Sequence, residues 1–355
     1  MQQTSSAQAH RRVLVTGGAG FIGSNLVRLL LSQHRHVCVF DKLTYAGHRE
    51  SLAEFSDRPE LNWHIADLCD IAAVQHAMHS FQPDAVIHLA AESHVDRSIA
   101  APIPFVQSNV VGTVHLLEVA RQYLATCSAE SQKSFRIIHV STDEVFGSAD
   151  IGNQFDEDSP YRPNSPYAAS KAAADHFVRA YRNTYDLPIH ITNCSNNYGP
   201  YQHPEKLIPV VISQAIAGLP IPVYGDGLNV RDWLHVDDHC SAIVAVLEQA
   251  LPKQDYMIGA NGTMTNIALV HQLCQHLDQF APRRDGRAHA ELIALVKDRP
   301  GHDLRYAVNA SRIFNDLAWS PSVSLADGLR ATVQWYLANR WWWEPILSRN
   351  KETQL

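Results

Sequence analysis

The stretch that most limits how this chain can fold is Gly17-Gly18-Ala19-Gly20-Phe21-Ile22-Gly23, because of what stands on either side of it. Arg12 to Thr16 reads as a buried strand, and Ser24 to Ser32 has the apolar spacing of a helix. Glycines at such a junction permit a tight turn. They also let backbone N–H groups approach a pyrophosphate at the positive end of the helix, so Gly17, Gly20, Phe21, Ile22 and Gly23 are expected to hold a dinucleotide. The next strand, His36 to Phe40, ends at Asp41. A carboxylate about twenty residues beyond the glycines accepts hydrogen bonds from a ribose 2′-hydroxyl and repels a 2′-phosphate, which favours NAD over NADP. Lys42 beside it weakens that preference.

Further alternation sets the fold class. Strand-like runs at Asn62 to Ala66, ending at Asp67, and at Asp84 to Leu89, ending at Ala90-Ala91-Glu92-Ser93-His94, are interleaved with helical spacing at Ile71 to Phe81 and Phe105 to Tyr123. Strand and helix alternating at this pitch predict an α/β, Rossmann-type doubly wound parallel sheet. A later strand, Ile137 to Val140, ends at Ser141-Thr142-Asp143-Glu144, where an open α/β sheet holds its ligands. After a loop rich in Asp, Pro and Asn, Tyr167 opens a helix that carries Lys171 one turn on, and a nearby fixed ammonium favours phenolate. Strand Ile189 to Thr192 leads to Asn193-Cys194-Ser195-Asn196-Asn197, after which alternation weakens and Pro and Gly increase. We therefore expect a disordered leader over 1–10, a dinucleotide-binding unit with the catalytic residues over 11–193, and a smaller substrate-binding part over 194–355 interleaved with the sheet.

Composition excludes several functions. Hydrophobic residues at 46% and charged residues at 18% exclude extensive disorder, and a net charge of −7 argues against a nucleic-acid surface. Six scattered cysteines without C-x-x-C read as reduced thiols of a cytoplasmic protein. The histidines show no H-E-x-x-H or ligand cluster, so no metal is expected. The first ten residues lack the apolar core of a signal peptide, and no apolar run reaches membrane-spanning length. The apolar helical runs Phe105 to Tyr123 and Ala168 to Tyr185 are able to pair with a partner's copies as a four-helix bundle, which predicts a homodimer.

Thr16 to Gly23 with Tyr167-x-x-x-Lys171 resembles the extended short-chain dehydrogenase/reductases, a group of nucleotide-sugar epimerases, decarboxylases and dehydratases. Within it, Ser141-Thr142-Asp143-Glu144-Val145-Phe146-Gly147 is similar to the signature of the dTDP-glucose 4,6-dehydratases. Ala91 to Ser98, Cys194 to Pro209, Gly227 to Trp233 and Asp298 to Tyr306 resemble the same enzymes. Ser108 and Phe146 depart from the usual Thr and Tyr, and neither removes a group the chemistry needs.

The resemblance implies roles residue by residue. Tyr167 is the base, Lys171 lowers its pKa and holds the nicotinamide ribose, and Thr142 orients the sugar hydroxyl. Asp143 protonates the departing carbon-6 hydroxyl, and Glu144 removes the carbon-5 proton. The NAD positions are Phe21, Ile22, Asp41, Lys42, Leu43, Thr44, Asp67, Leu68, Leu89, Ala90, Ala91, Glu92, Ser93, Ser108 and Asn197. For dTDP-glucose they are Ser93, Asn196, Lys206, Leu207, Pro222, Val223, Tyr224, Arg231, Asn266, Asp298, Arg299, Pro300, Gly301 and His302. The chemistry explains the adjacent carboxyls. Oxidation at carbon 4 makes the carbon-5 proton α to a ketone, and eliminating water then needs an acid and a base side by side. A UDP-sugar 4,6-dehydratase or a 4-epimerase shares the fold, Tyr167 and Lys171. A 4-epimerase has no use for Asp143-Glu144, and a silent NAD-sensing protein would need none of the four.

Overall fold

The computed structural model describes residues 10–352, without the side chains of the last three. Twelve strands are formed among them. Six come first in the chain: β1 (Arg12–Thr16), β2 (His36–Asp41), β3 (Leu61–Ile65), β4 (Ala85–His88), β5 (Arg136–Thr142) and β6 (Ile189–Cys194). The rest are β7 (Asn196–Tyr198), β8 (Ile221–Tyr224), β9 (Val230–His235), β10 (Tyr256–Ile258), β11 (Thr263–Thr265) and β12 (Ile293–Val296). The central sheet has the order β3-β2-β1-β4-β5-β6-β10, and every pair in it is parallel. From β1 the chain winds out to β2 and β3, then returns to β4 on the other side. This reversal opens a crevice beyond the carboxyl ends of β1 and β4.

Strands β1, β2, β4 and β5 are buried on both faces, which is why they read as largely apolar runs, whereas the edge strand β3 leaves Asn62 and Ile65 exposed. Successive side chains alternate sides. Val13 and Val15 pack with Leu26, Leu30, Val37 and Val39, under the helices Phe21–Ser32 and Val236–Gln249. Leu14 packs the other way with Phe40, Met78, Leu116 and Ile189, under Ile71–Phe81, Gly112–Thr126 and Pro166–Tyr185. A third core, with Ile212, Leu273, Val333 and Trp342, binds the carboxyl-terminal elements around two small sheets, β11-β9-β7 and β12-β8. The second half of the chain also supplies β10 to the central sheet.

Several expectations change in detail. His10, assigned to the leader, is docked: its Nε2 is 2.8 Å from the Ser134 carbonyl and its own carbonyl accepts from Arg35. The other leader residues, 1–9, lie outside the described residues. Strand β5 continues through Ser141 and Thr142, because these pair with Asn193 and Cys194 of β6. The single helix expected from Phe105 is interrupted: a π-helical stretch, Val106–Val111, precedes the regular helix Gly112–Thr126. In the run Trp341-Trp342-Trp343 near the end of the chain, Trp342 and Trp343 are buried, whereas Trp341 is exposed.

Candidate active site

The glycine turn forms the floor of the crevice. Gly17 has φ +70°, and a Cβ there would lie 2.6 Å from the backbone nitrogen of Ala90, so the exits of β1 and β4 touch backbone to backbone. A Cβ on Gly23 would collide with the Gly17 carbonyl oxygen. Gly20 is the N-cap of Phe21–Ser32, with no side-chain cap and no acidic residue in the first turn. The positive end of that helix is thus left for an anion, which suits a pyrophosphate.

Asp41 stands at the end of β2. Its Oδ2 accepts from Ala19 N at 3.0 Å and its Oδ1 from Leu43 N at 2.8 Å. Burial pushes its carboxyl up, while these two donors and Lys42 hold it down. Each oxygen retains a lone pair for a further donor. The Lys42 ammonium is already claimed, lying 3.2 Å from Ser108 Oγ, 3.6 Å from Asp67 and 3.8 Å from Glu92. Two carboxylates beside it offset its attraction for a 2′-phosphate.

One continuous cleft joins this end to the reactive groups. Gly17, Gly20 to Gly23, Asp41, Lys42, Thr44, Asp67, Leu68, Leu89 to Ser93 and Ser108 line it together with Thr142, Asp143, Glu144, Tyr167, Lys171, Asn196, Asn197 and Lys206. Leu43 is outside the lining, in a left-handed backbone conformation at φ +52°.

At the carboxyl end of β5, Thr142 caps a short 3₁₀ turn, Asp143–Phe146. Its Oγ1 accepts from Glu144 N and donates to Asp143 Oδ1, both at 3.3 Å. Asp143 is 1% exposed and its Oδ2 has no partner. Burial, then the charges of Glu144 and Asp232, push its carboxyl well above the usual range. Glu144 is raised by burial too, but Arg231, Lys206 and Arg299 draw it back. Neighbouring carboxyls therefore separate, with Asp143 favoured as the protonated member.

Tyr167 departs from expectation. Burial pushes its phenol well above the normal value, and Glu144 and Cys194 add to this, while Thr142 pulls the other way. Burial outweighs the neighbouring Lys171, whose Nζ donates to the Val140 carbonyl at 2.8 Å. Ser165 caps the start of this helix through Ala168 N, with Pro166 in its first turn, which sets where Tyr167 falls.

The remaining substrate positions form a second group beside the cleft rather than in its lining. Arg231 spends its guanidinium on the carbonyls of Val230, Asp303 and Leu304 and lies 4.2 Å from the Tyr306 ring. Arg299 pairs with Asp96 at 2.5 and 2.9 Å and stacks over Tyr224, which meets His302 edge-on. Asp298 accepts from His302 and lies beside Gly225. Pro222 and Val223 belong to β8, and Leu207 opens the helix Leu207–Ala217. Asn266 opens another helix and keeps a buried Oδ1 without a partner. Pro300 and Gly301 lie in the loop between Arg299 and His302.

Four groups carried no assignment in the sequence. Ser98 accepts from Tyr167 N at 3.1 Å. Asn109 clamps both backbone groups of Glu92 and donates to Ser170. Glu205 faces His94 and Arg97. Asp175 stands one turn beyond Lys171 on the same helix, and that spacing could have marked it. Among the described residues, no group of three or more His, Cys, Asp or Glu could hold a metal.

Sheet order, glycine turn and the Tyr167–Lys171 helix define an extended short-chain dehydrogenase/reductase. The family model described as GDP-mannose 4,6 dehydratase matches residues 14–332. A dTDP-glucose 4,6-dehydratase of Neisseria meningitidis is 50% identical over 344 residues, 95% of this chain and 96% of that protein. The solved dTDP-glucose 4,6-dehydratase of Streptomyces venezuelae, with NAD bound, is 46% identical with a TM-score of 0.85, over 94% of this chain and 99% of that one. A UDP-glucose 4-epimerase of Thermus thermophilus, also with NAD, is 30% identical with a TM-score of 0.81, over 92% and 99%. This chain belongs to the dTDP-glucose 4,6-dehydratase family.

Proposed function

We propose that this protein is an NAD-dependent hydro-lyase that converts dTDP-glucose to dTDP-4-keto-6-deoxyglucose. The observation that carries this reading is the separation of Asp143 from Glu144: burial raises both adjacent carboxyls, Asp143 well above the usual range with Glu144 and Asp232 adding to it, while Arg231, Lys206 and Arg299 draw Glu144 back. Such a pair serves an elimination and has no task in epimerisation at carbon 4.

The glycine turn, Asp41 and the exits of β3 and β4 would hold NAD, which when bound accepts a hydride from carbon 4 and returns it to carbon 6. Tyr167 takes the carbon-4 hydroxyl proton, and Thr142 orients that hydroxyl. With carbon 4 a ketone, Glu144 withdraws the carbon-5 proton. Asp143 gives its proton to the carbon-6 oxygen, which leaves as water. Substrate minus water equals product, so no external oxidant is needed. Lys206, Arg231 and Arg299 supply positive charge around Glu144, and the latter two suit a diphosphate.

Incubation with dTDP-glucose should yield a product one water lighter by mass spectrometry, faster than with UDP-glucose. A product of unchanged mass would indicate epimerisation, and preference for UDP-glucose would overturn the nucleotide assignment.

Exposed Ile103, Val106 and Phe177, on or beside the two helical runs, support a homodimer. A stable monomer in light scattering at micromolar concentration would refute it. Free cysteines and the absence, among the described residues, of a helix long and apolar enough to cross a membrane support a cytoplasmic site, which cell fractionation tests.

A further inference from the structure

One turn beyond Lys171, on the face that carries Tyr167, stands Asp175. The three residues are spaced i, i+4, i+8 and all are buried, Asp175 completely. Lys171 Nζ donates to the Val140 carbonyl at 2.8 Å, and the hydroxyl of the next residue, Ser141, donates to Asp175 Oδ2 at 2.7 Å. A single peptide unit of β5 therefore separates a buried ammonium from a buried carboxylate. Asp175 also accepts from Tyr161 at 2.8 Å and from His139 Nε2 at 3.0 Å. Ser141 and Tyr161 are neutral donors, and burial and the Lys171 charge push His139 down against the pull of Asp175 itself, while its Nδ1 has no partner. A carboxylate so placed needs a countercharge.

The dehydration proposed above makes no use of Asp175. We propose that Asp175 is a positioning residue, a buried carboxylate that keeps Lys171 charged and seated on the β5 carbonyl, where Tyr167 can use it. This deepens the functional reading and rests on it for the role of Lys171. Other titratable groups face the pair from each neighbouring element: His88 on β4, His139 on β5, Cys194 on β6, Tyr161 from the preceding loop and Arg179 on the helix itself. Asp255, ahead of β10, is held by Arg182 at 2.6 Å and lies 3.6 Å from Arg179. Burial works to strip the proton from Lys171, and Asp175 is the carboxylate that opposes it.

Trace acetylation of the purified holoenzyme across pH, located by peptide mass spectrometry, titrates Lys171 without turnover. Asp175→Asn keeps an acceptor for Ser141 and Tyr161, and His139 can meet the new amide as its other tautomer. In this variant the Lys171 midpoint should fall by about one pH unit or more. Lys206, in the same cleft, should stay where it is and serve as the control. The alkaline limb of kcat should move down with Lys171, because activity is lost as the ammonium loses its proton. Asp175→Ser removes the same charge and leaves room for a water, and it should behave alike. Asp175→Glu should restore the midpoint. An unmoved midpoint in the charge-removing variants would overturn the proposal. So would failure of both to fold beside an Asp175→Glu that folds with a displaced midpoint. Wild-type protein that does not dehydrate dTDP-glucose would instead refute the functional reading, and the labelling would still decide the role of Asp175.

Discussion

Tyr167→Phe should lower kcat by about 10³-fold, within the span expected for losing a general base, and leave KM for the nucleotide sugar nearly unchanged. The ring remains to pack against Phe105, 6.4 Å away, so the pocket keeps its shape and loses only the phenol oxygen. Because burial and the Glu144 charge raise that phenol, the wild-type rate should climb with pH as the phenol loses its proton. The variant should lack this limb. Steady-state kinetics across pH check both points, and a variant that keeps most of its kcat would displace Tyr167 as the base.

Glu144→Gln should cost a comparable factor, about 10²–10⁴, but at a later step. Oxidation at carbon 4 needs Tyr167 and leaves Glu144 idle, so the variant should still form reduced nicotinamide, whose absorbance builds up on the protein during a single turnover. The substitution keeps the size of the side chain and removes its charge. Loss of that charge also relieves one of the influences that raise Tyr167 and Asp143, so oxidation itself should not slow. Stopped-flow absorbance showing no accumulation, with the overall rate abolished, would place Glu144 in the oxidation instead.

The parallel sheet was legible because strands buried on both faces must be apolar throughout, as in Val13-Leu14-Val15 and Ile137-Ile138. The glycine turn was legible because close backbone approach at Gly17 and Gly23 admits no side chain. Strand β10, three residues long, is too short to carry a period. The end of β5 was set by pairing of Ser141 and Thr142 with β6, a tertiary effect that overrides their polarity. Spacing put Lys171 near Tyr167 but could not show that burial would outweigh it, since desolvation depends on the whole surrounding fold. The Arg299–Asp96 pair joins residues 203 positions apart, and such contacts leave no local pattern. The spacing of Asp175 puts it on the Lys171 face, but its partners Ser141, Tyr161 and His139 come from two other segments and leave no local pattern.

The fate of one hydrogen tests the central claim that oxidation, elimination and reduction occur in a single cleft around Asp143, Glu144 and Tyr167. With deuterium on carbon 4 of dTDP-glucose, mixed with undeuterated substrate carrying carbon-13 throughout the sugar, mass spectrometry can assign each label to its own molecule. The account predicts deuterium on carbon 6 of the same product molecule, with the carbon-5 hydrogen replaced from solvent. Deuterium lost to water, retained on carbon 4, or carried to a carbon-13 molecule would contradict it.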